Sequence, residues 1–258
     1  MRVTTFFGLR KLKVSTMKSV RFFSILIALS LIGNQATGQL VPEKEISKTG
    51  NSVPYQEMKI TVTDVSTGDP FITDIYVNGI HPRKTTVLKS LSDTIFEIKN
   101  YRLYSVSCIE KGYMYYTEKF WPDEKMIHLQ KVELQPLETG AKTDIQDITF
   151  LGNKTEIYHT SRPALAQLIE WLDLNENVSI SVIGHVNGPD NAHSRKFYQK
   201  ASVERSTAVV KYLTENGIDS QRLSADGKGN TQMLYENPST DWQNKANRRI
   251  EIEITKVE

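Results

Sequence analysis

The chain has 258 residues, room for two modest domains, and 39% apolar residues, enough for a real core. Its net charge of +2 and pI near 8.4 come from residues 1–38, which hold six basic residues (Arg2, Arg10, Lys11, Lys13, Lys18, Arg21) and no acidic one; the remainder carries 26 basic against 30 acidic residues, a net charge of −4. A mildly acidic remainder has no basic field to draw in polyphosphate, so nucleic acid is not an expected partner.

Residues 1–38 read as a signal peptide. Lys18 and Arg21 form a positive start, Phe22 to Gly33 form an apolar run too short to span a bilayer, and Ala36 and Gly38 place small residues where cleavage before Gln39 requires them. A complete signal would also result from a start at Met17. No other apolar run reaches spanning length, so no transmembrane segment is expected after removal. The single cysteine, Cys108, lies in a β-like stretch far from the cleavage site. It offers neither a disulfide partner nor a lipid anchor and is expected to be a buried structural thiol.

Residues 39–55, broken by Pro42, Gly50 and Pro54, are expected to be a flexible mature N-terminus. From Met58 the period is two: Ile60 and Val62 alternate with Lys59, Thr61 and Thr63, and Ser66 to Pro70 supplies a turn. Short alternating runs follow at Ile75 to Val77, Thr94 to Ile98, Tyr104 to Cys108 and Ile127 to Leu134, with no helical period before residue 140. An all-β sandwich over residues 56–136 is the expected solution. The texts ITVTDVSTGDPF (60–71) and YSVSCIEKGYMYY (104–116) resemble the carboxypeptidase-regulatory-like β-sandwiches of exported bacterial proteins. That resemblance implies a spacer or interaction module without chemistry.

At Pro136 to Ala141 the pattern changes, and residues 137–258 read as a second domain. Asp147 to Phe150 is expected as a strand, and Ser161 as the cap of a helix whose Leu165, Leu168, Ile169 and Leu172 form one stripe. Val178, Ile180 and Val182 alternate as a strand. A second helix from about Ser202 places Ser206, Val209, Val210 and Leu213 on one face and ends at Gly217, with Ile218 positioned for an apolar contact. Arg222 to Ala225 is another strand, and Ile250, Ile252 and Ile254 alternate in the last. The fold class is therefore α+β: the sandwich, then a β-α-β-α-β-β domain with helices on one face of a mixed sheet.

Residues 147–254 resemble the OmpA/MotB C-terminal domain. The carriers are, in order, ITFLGNKTEI (148–157), ISVIGHVN (180–187), ASVERSTAVVKYLTENGI (201–218), RLSADGKGN (222–230) and NKANRRIEIEI (244–254). The resemblance implies non-covalent binding of the peptidoglycan stem peptide through diaminopimelate. The free end of that residue sets a carboxylate beside an ammonium, so its pocket needs a cationic fork and an acceptor. Arg205 stands at the family's arginine, which would grip the carboxylate aided by the positive end of the helix it starts. Asn187 stands where the family has an aspartate for the ammonium; an amide still accepts a hydrogen bond but the ion pair is gone, which implies several-fold to tenfold weaker affinity at about 1 kcal/mol. Val186, Tyr198 and Ala201 also depart from the motif. Asp190 could restore the negative charge from a shifted place. Asn247 and Arg248 keep the closing motif and imply a place beside the pocket, as does Asn153, while His185 is retained at a strand end.

Other chemistry is not legible. Histidines 81, 128, 159, 185 and 193 show no metal spacing, the run Gly227–Gly229 lacks the rest of a phosphate loop, and no nucleophile elbow occurs. Neither an enzyme nor a cofactor is expected. The reading is an exported periplasmic protein that ties an outer-membrane-associated component to peptidoglycan, with an envelope partner expected on the β-sandwich. Its rival is an OmpA-like scaffold kept as a protein–protein interaction module without wall binding.

Overall fold

Strand β1 (Tyr55–Asp64) buries Met58, Ile60 and Val62 completely, the alternation that its sequence predicts. β2 (Thr73–Ile80), β3 (Arg83–Leu91), β4 (Asp93–Lys99), β5 (Tyr104–Cys108), β6 (Tyr116–Phe120) and β7 (Ile127–Leu134) follow. They form a three-stranded sheet, β4-β1-β7, and a four-stranded sheet, β3-β2-β5-β6. Ile98 and Val132 from the first sheet meet Ile75, Val77, Val106 and Cys108 from the second in one buried cluster. Cys108 is fully buried, and burial pushes its thiol up to about 11, as an inert core group requires. The computed structural model describes residues 55–80, 83–99, 103–120, 122, 127–145, 147–152, 154–189 and 194–258. The expected signal peptide, and the mature N-terminal segment as far as residue 54, lie outside them.

β3 and β6 are not evident in the sequence. β3 lies at a sheet edge with Lys84, Thr85, Val87 and Lys89 exposed, so it has no buried period to read, and its lysines discourage pairing with another chain.

The second half contains β8 (Lys142–Ile145), α1 (Arg162–Leu174), β9 (Val178–His185), α2 (Arg195–Glu215), β10 (Leu223–Gly229), α3 (Asp241–Asn247) and β11 (Ile250–Val257). The sheet order is β10-β9-β11-β8, with β10 and β9 parallel and the other pairs antiparallel. Val178, Ile180, Val182, Ile250, Ile252 and Ile254 pack against Leu165, Leu168, Trp171 and Leu172 of α1 and Val209 and Leu213 of α2. Three expectations need correction. The first strand is Lys142–Ile145 rather than 147–150; Phe150 makes only an isolated bridge to Ile157, because Ile148 already drops into the core. Ser161 does not cap α1, since its hydroxyl donates to the Thr149 carbonyl (3.1 Å) and accepts from the Thr149 N–H (2.8 Å). α2 begins at Arg195, two turns earlier than the apolar stripe shows. Gly217 does end that helix, with φ +101 and the Ile218 N–H on the Leu213 carbonyl.

Two glycines set how closely α2 lies on the sheet. A Cβ on Gly184 of β9 would stand 2.1 Å from the Ser202 carbonyl oxygen, and one on Gly227 of β10 would stand 2.3 Å from its hydroxyl. The contact is then sealed by polar groups: Ser202 Oγ accepts from the Gly229 N–H at 2.9 Å, and Gln199 Nε2 donates to the Gly227 carbonyl at 2.6 Å.

One turn of the first half reaches deep into the second, beside further bridges such as Ser107 to Gln167 and Lys119 to Asp147. Ile109, Met114 and Tyr115 belong to the buried cluster of the second half. The Trp171 indole N–H donates to the Tyr113 carbonyl at 2.8 Å, and Asn175 Oδ1 accepts from the Gly112 N–H at 2.8 Å. At the same C-terminal end of α1, Arg222 donates to the carbonyls of Leu172, Asn175 and Val178, satisfying groups that a helix end leaves open.

Gly184→Ala should therefore displace α2 and cost about 2–3 kcal/mol. Gly152→Ala, which meets nothing within 4 Å, should change stability little. Denaturant titration of the two variants against the wild type measures both.

Candidate functional site

Three expected site residues line one pocket. Asn187 follows the end of β9, Arg205 projects from α2, and Arg248 follows α3; Lys154, Tyr198 and Glu204 are among the other residues lining a cavity of about 130 Å³. Arg205 and Arg248 also line an adjoining cavity of about 380 Å³, with Phe150, Lys119 and Lys245. Asn153 and Asp190 lie outside the described residues.

Arg205 is the eleventh residue of the 21-residue α2, not its start. The positive end of the helix is ten residues away, about 15 Å, so the expected dipole assistance is absent. The guanidinium instead lies half-buried with its Cζ 5.3 Å from the Phe150 ring centroid, a cation–π contact. Burial and the neighbouring Arg248 both lower its pKa. No carboxylate among the described residues lies within ion-pairing distance of either guanidinium. Lys119 and Lys245 differ in this, each holding its own partner, Asp147 at 2.5 Å and Asp241 at 2.6 Å. Two like charges kept together with no described carboxylate in ion-pairing contact form a place prepared for an anion.

The asparagine that departs from the family pattern is built into a directional chain. Asn247 is fully buried; its Oδ1 accepts from the Tyr235 N–H at 2.9 Å, so its amide nitrogen must face the Tyr235 carbonyl (2.7 Å) and Asn187 Oδ1 (2.7 Å). Asn187 then donates to Asn244 Oδ1 at 2.8 Å, whose own nitrogen donates to the Thr240 carbonyl. The orientation of every amide follows from the backbone of Tyr235. Asn187 retains one lone pair and one N–H for a ligand. Asn247 is committed to the scaffold, so of the two closing-motif residues only Arg248 presents a charge to the pocket. Tyr198, at the motif's asparagine, is likewise accommodated: a Cβ on Gly188 would lie 2.3 Å from its ring.

His185 is buried beside these residues with no hydrogen-bond partner among the described residues for either ring nitrogen. Burial, then Arg249, Lys142 and Lys228, bring its pKa down to about 4 against the opposing pull of Asp226; Glu251 stands 3.8 Å away. It is a neutral core histidine at working pH. The sequence reading missed Phe150, Lys154 and Glu204 as pocket residues. Lys154 and Glu204 lie next to predicted positions, whereas nothing in the sequence places an aromatic face under Arg205. α3 was missed too, although Thr240 and Gln243 form a capping box that the spacing of those two residue types announces.

Residues 149–248 match the OmpA family. Outer membrane protein A of Serratia marcescens is 30% identical over 130 residues, covering 46% of this chain and 35% of that protein. Photosystem I P700 chlorophyll a apoprotein A2 of Gloeobacter violaceus is 28% identical over 114 residues, 42% of this chain but 13% of that protein. The chain thus spans well under half the length of these two relatives. Among solved structures, the periplasmic domain of Helicobacter pylori MotB is similar at 18% identity and a TM-score of 0.40, over 46% of this chain and 78% of that one. No helix among the described residues is long and apolar enough to cross a membrane.

Two outcomes follow from the geometry. Asn247→Ala strips the Tyr235 backbone of both partners and should cost about 2–3 kcal/mol in chemical denaturation. For His185 the folded pKa lies below the unfolded value of 6.5, so the neutral ring stabilises the fold above pH 6.5, and that stability is lost as pH falls towards 4. A decline on the order of 2 kcal/mol across that window, flattened in His185→Gln, should appear in melting curves recorded from pH 7 to 4.

Proposed function

We propose that the OmpA-like domain at residues 149–248 binds peptidoglycan non-covalently, gripping a stem-peptide carboxylate of diaminopimelate between Arg205 and Arg248. The observation that carries this reading is the pair of guanidinium groups held together without a described carboxylate, one of them half-buried over Phe150. A planar fork on an aromatic face is poised for two parallel bonds to a carboxylate, and the ligand would relieve the repulsion between the arginines. Asn187 would contribute a neutral hydrogen bond in place of the family's aspartate. Asp190 and Asn153, both outside the described residues, complete the proposed set, and Asn247 supports it by holding Asn187.

The seven-stranded first half serves in this reading as the carboxypeptidase-regulatory-like sandwich that contacts an envelope partner. The exported chain would then tether an outer-membrane-associated component to the wall from the periplasm, without catalysis. The sequence divides at about residue 136 into these two roles, even though side chains from both sides of that point pack together.

The rival, an OmpA-like scaffold used as an interaction module, is favoured by the asparagine chain, which commits half of the hydrogen-bonding capacity of Asn187 to the protein itself. Co-sedimentation with purified sacculi separates the two. Wild type should pellet with the sacculi, and Arg205→Ala should lose at least about 90% of the bound fraction, as removal of a charged bidentate contact implies. Equal retention of both proteins would exclude this pocket, and retention of neither would favour the scaffold.

A further inference from the structure

We infer that the outer face of the sheet β4-β1-β7 docks on the same face of a second copy of this chain, joining two molecules through their first halves. The inference goes beyond the proposed wall binding and does not depend on it. Three observations carry it.

The first is the character of the face. Residues of these strands that do not enter the core share one side of the sheet, and on it Tyr55, Ile95, Ile127 and Leu129 are 58, 59, 45 and 67% exposed. The wet side of an antiparallel or mixed sheet is ordinarily polar, so four large apolar side chains on three strands form a patch.

The second is register. Strand pairing sets Glu97, Glu57 and Ile127 in one row across the sheet and Ile95, Lys59 and Leu129 in the next. A two-fold axis running across the strands, midway between these rows, lays each row over the other one in the second copy. Glu57 then meets the partner's Lys59, and Ile127 meets the partner's Leu129. One row further out, Lys99 meets the partner's Asp93. Every contact occurs twice, as an isologous interface requires. Moving the axis onto the Glu57 row would set Glu57 against itself, so the charges specify one register.

The third is a conflict within the single sheet. Glu57 and Glu97 stand directly opposite each other on neighbouring strands, an arrangement that costs stability. The partner's Lys59 would bring an ammonium to these two acids. Lys59 is 3.2 Å from Asp93 of its own chain, and an ammonium with three donors can serve Glu57 across the axis as well.

The face is small. From strand spacing and rise it offers on the order of 500 Å² per copy, near the lower limit for a specific complex, which makes the dimer a weak one. Joining two chains would set two candidate pockets on one particle, and an envelope partner would meet a pair of chains.

The test is sedimentation velocity of the exported chain from about 1 to about 200 μM. Wild type should pass from monomer to dimer within that range. Glu57→Lys and Lys59→Glu each set like charges across the axis, and each alone should weaken dimerisation at least about tenfold. An equimolar mixture of the two variants should restore it, since each supplies the charge that the other lacks; the rescue also shows that both variants fold. Wild type that stays monomeric, single variants that associate as wild type does, or a mixture that stays monomeric overturns the inference. All three outcomes leave sacculus binding through Arg205 untouched.

Discussion

The place of Arg205 in the candidate site is set by how near α2 can come to β9 and β10. Ser202 lies where a side chain on Gly184 or Gly227 would have to be, and Ser202 Oγ and Gln199 then bond β10 directly. Arg205 stands one helical turn beyond Ser202, so its height above the sheet and its reach into the pocket are inherited from that contact. The early turns of α2 have no buried apolar stripe; what holds them is close backbone approach and a few short hydrogen bonds. That explains why the helix runs two turns further back than its hydrophobic pattern indicates.

The electrostatics of the pocket differ from what the sequence implies, and the difference is organised. Arg205 lacks a helix end beneath it and uses the face of Phe150 instead. Asn187 is one link in a line of amides that begins at the backbone of Tyr235 and ends at Thr240. An aspartate there would set a negative oxygen against the Asn244 carbonyl oxygen, so the amide suits its surroundings. Tyr198, another departure from the family pattern, occupies space that Gly188 leaves open. Substitutions that look like decay in the sequence are thus packed and hydrogen-bonded in the fold.

The legibility of the chain follows burial. Strands with one wet face, such as β1 and β11, and helices with an apolar stripe, such as α1, show their period in the sequence. β3, wet on the edge, and the first two turns of α2, held by glycines in other strands, do not. The short α3 had a readable capping pair at Thr240 and Gln243 that the apolar period masks. At the site, Arg205, Asn187 and Arg248 were reachable from motif positions, because motif text records which residues share a pocket. It does not record directions: that Asn247 turns inward to a backbone, or that Phe150 lies under a guanidinium, depends on contacts between segments distant in sequence.

The seam between the halves has a consequence for how this chain can be divided. Ile109, Met114 and Tyr115 fill the core of the second half, and the Trp171 indole meets a carbonyl from the same turn. A chimera grafting residues 137–258 onto another leader would carry a hollow where those three side chains stood and an indole N–H facing into it. The second half is therefore not a freely portable cassette. Transplanting it intact means taking residues 109–115 along.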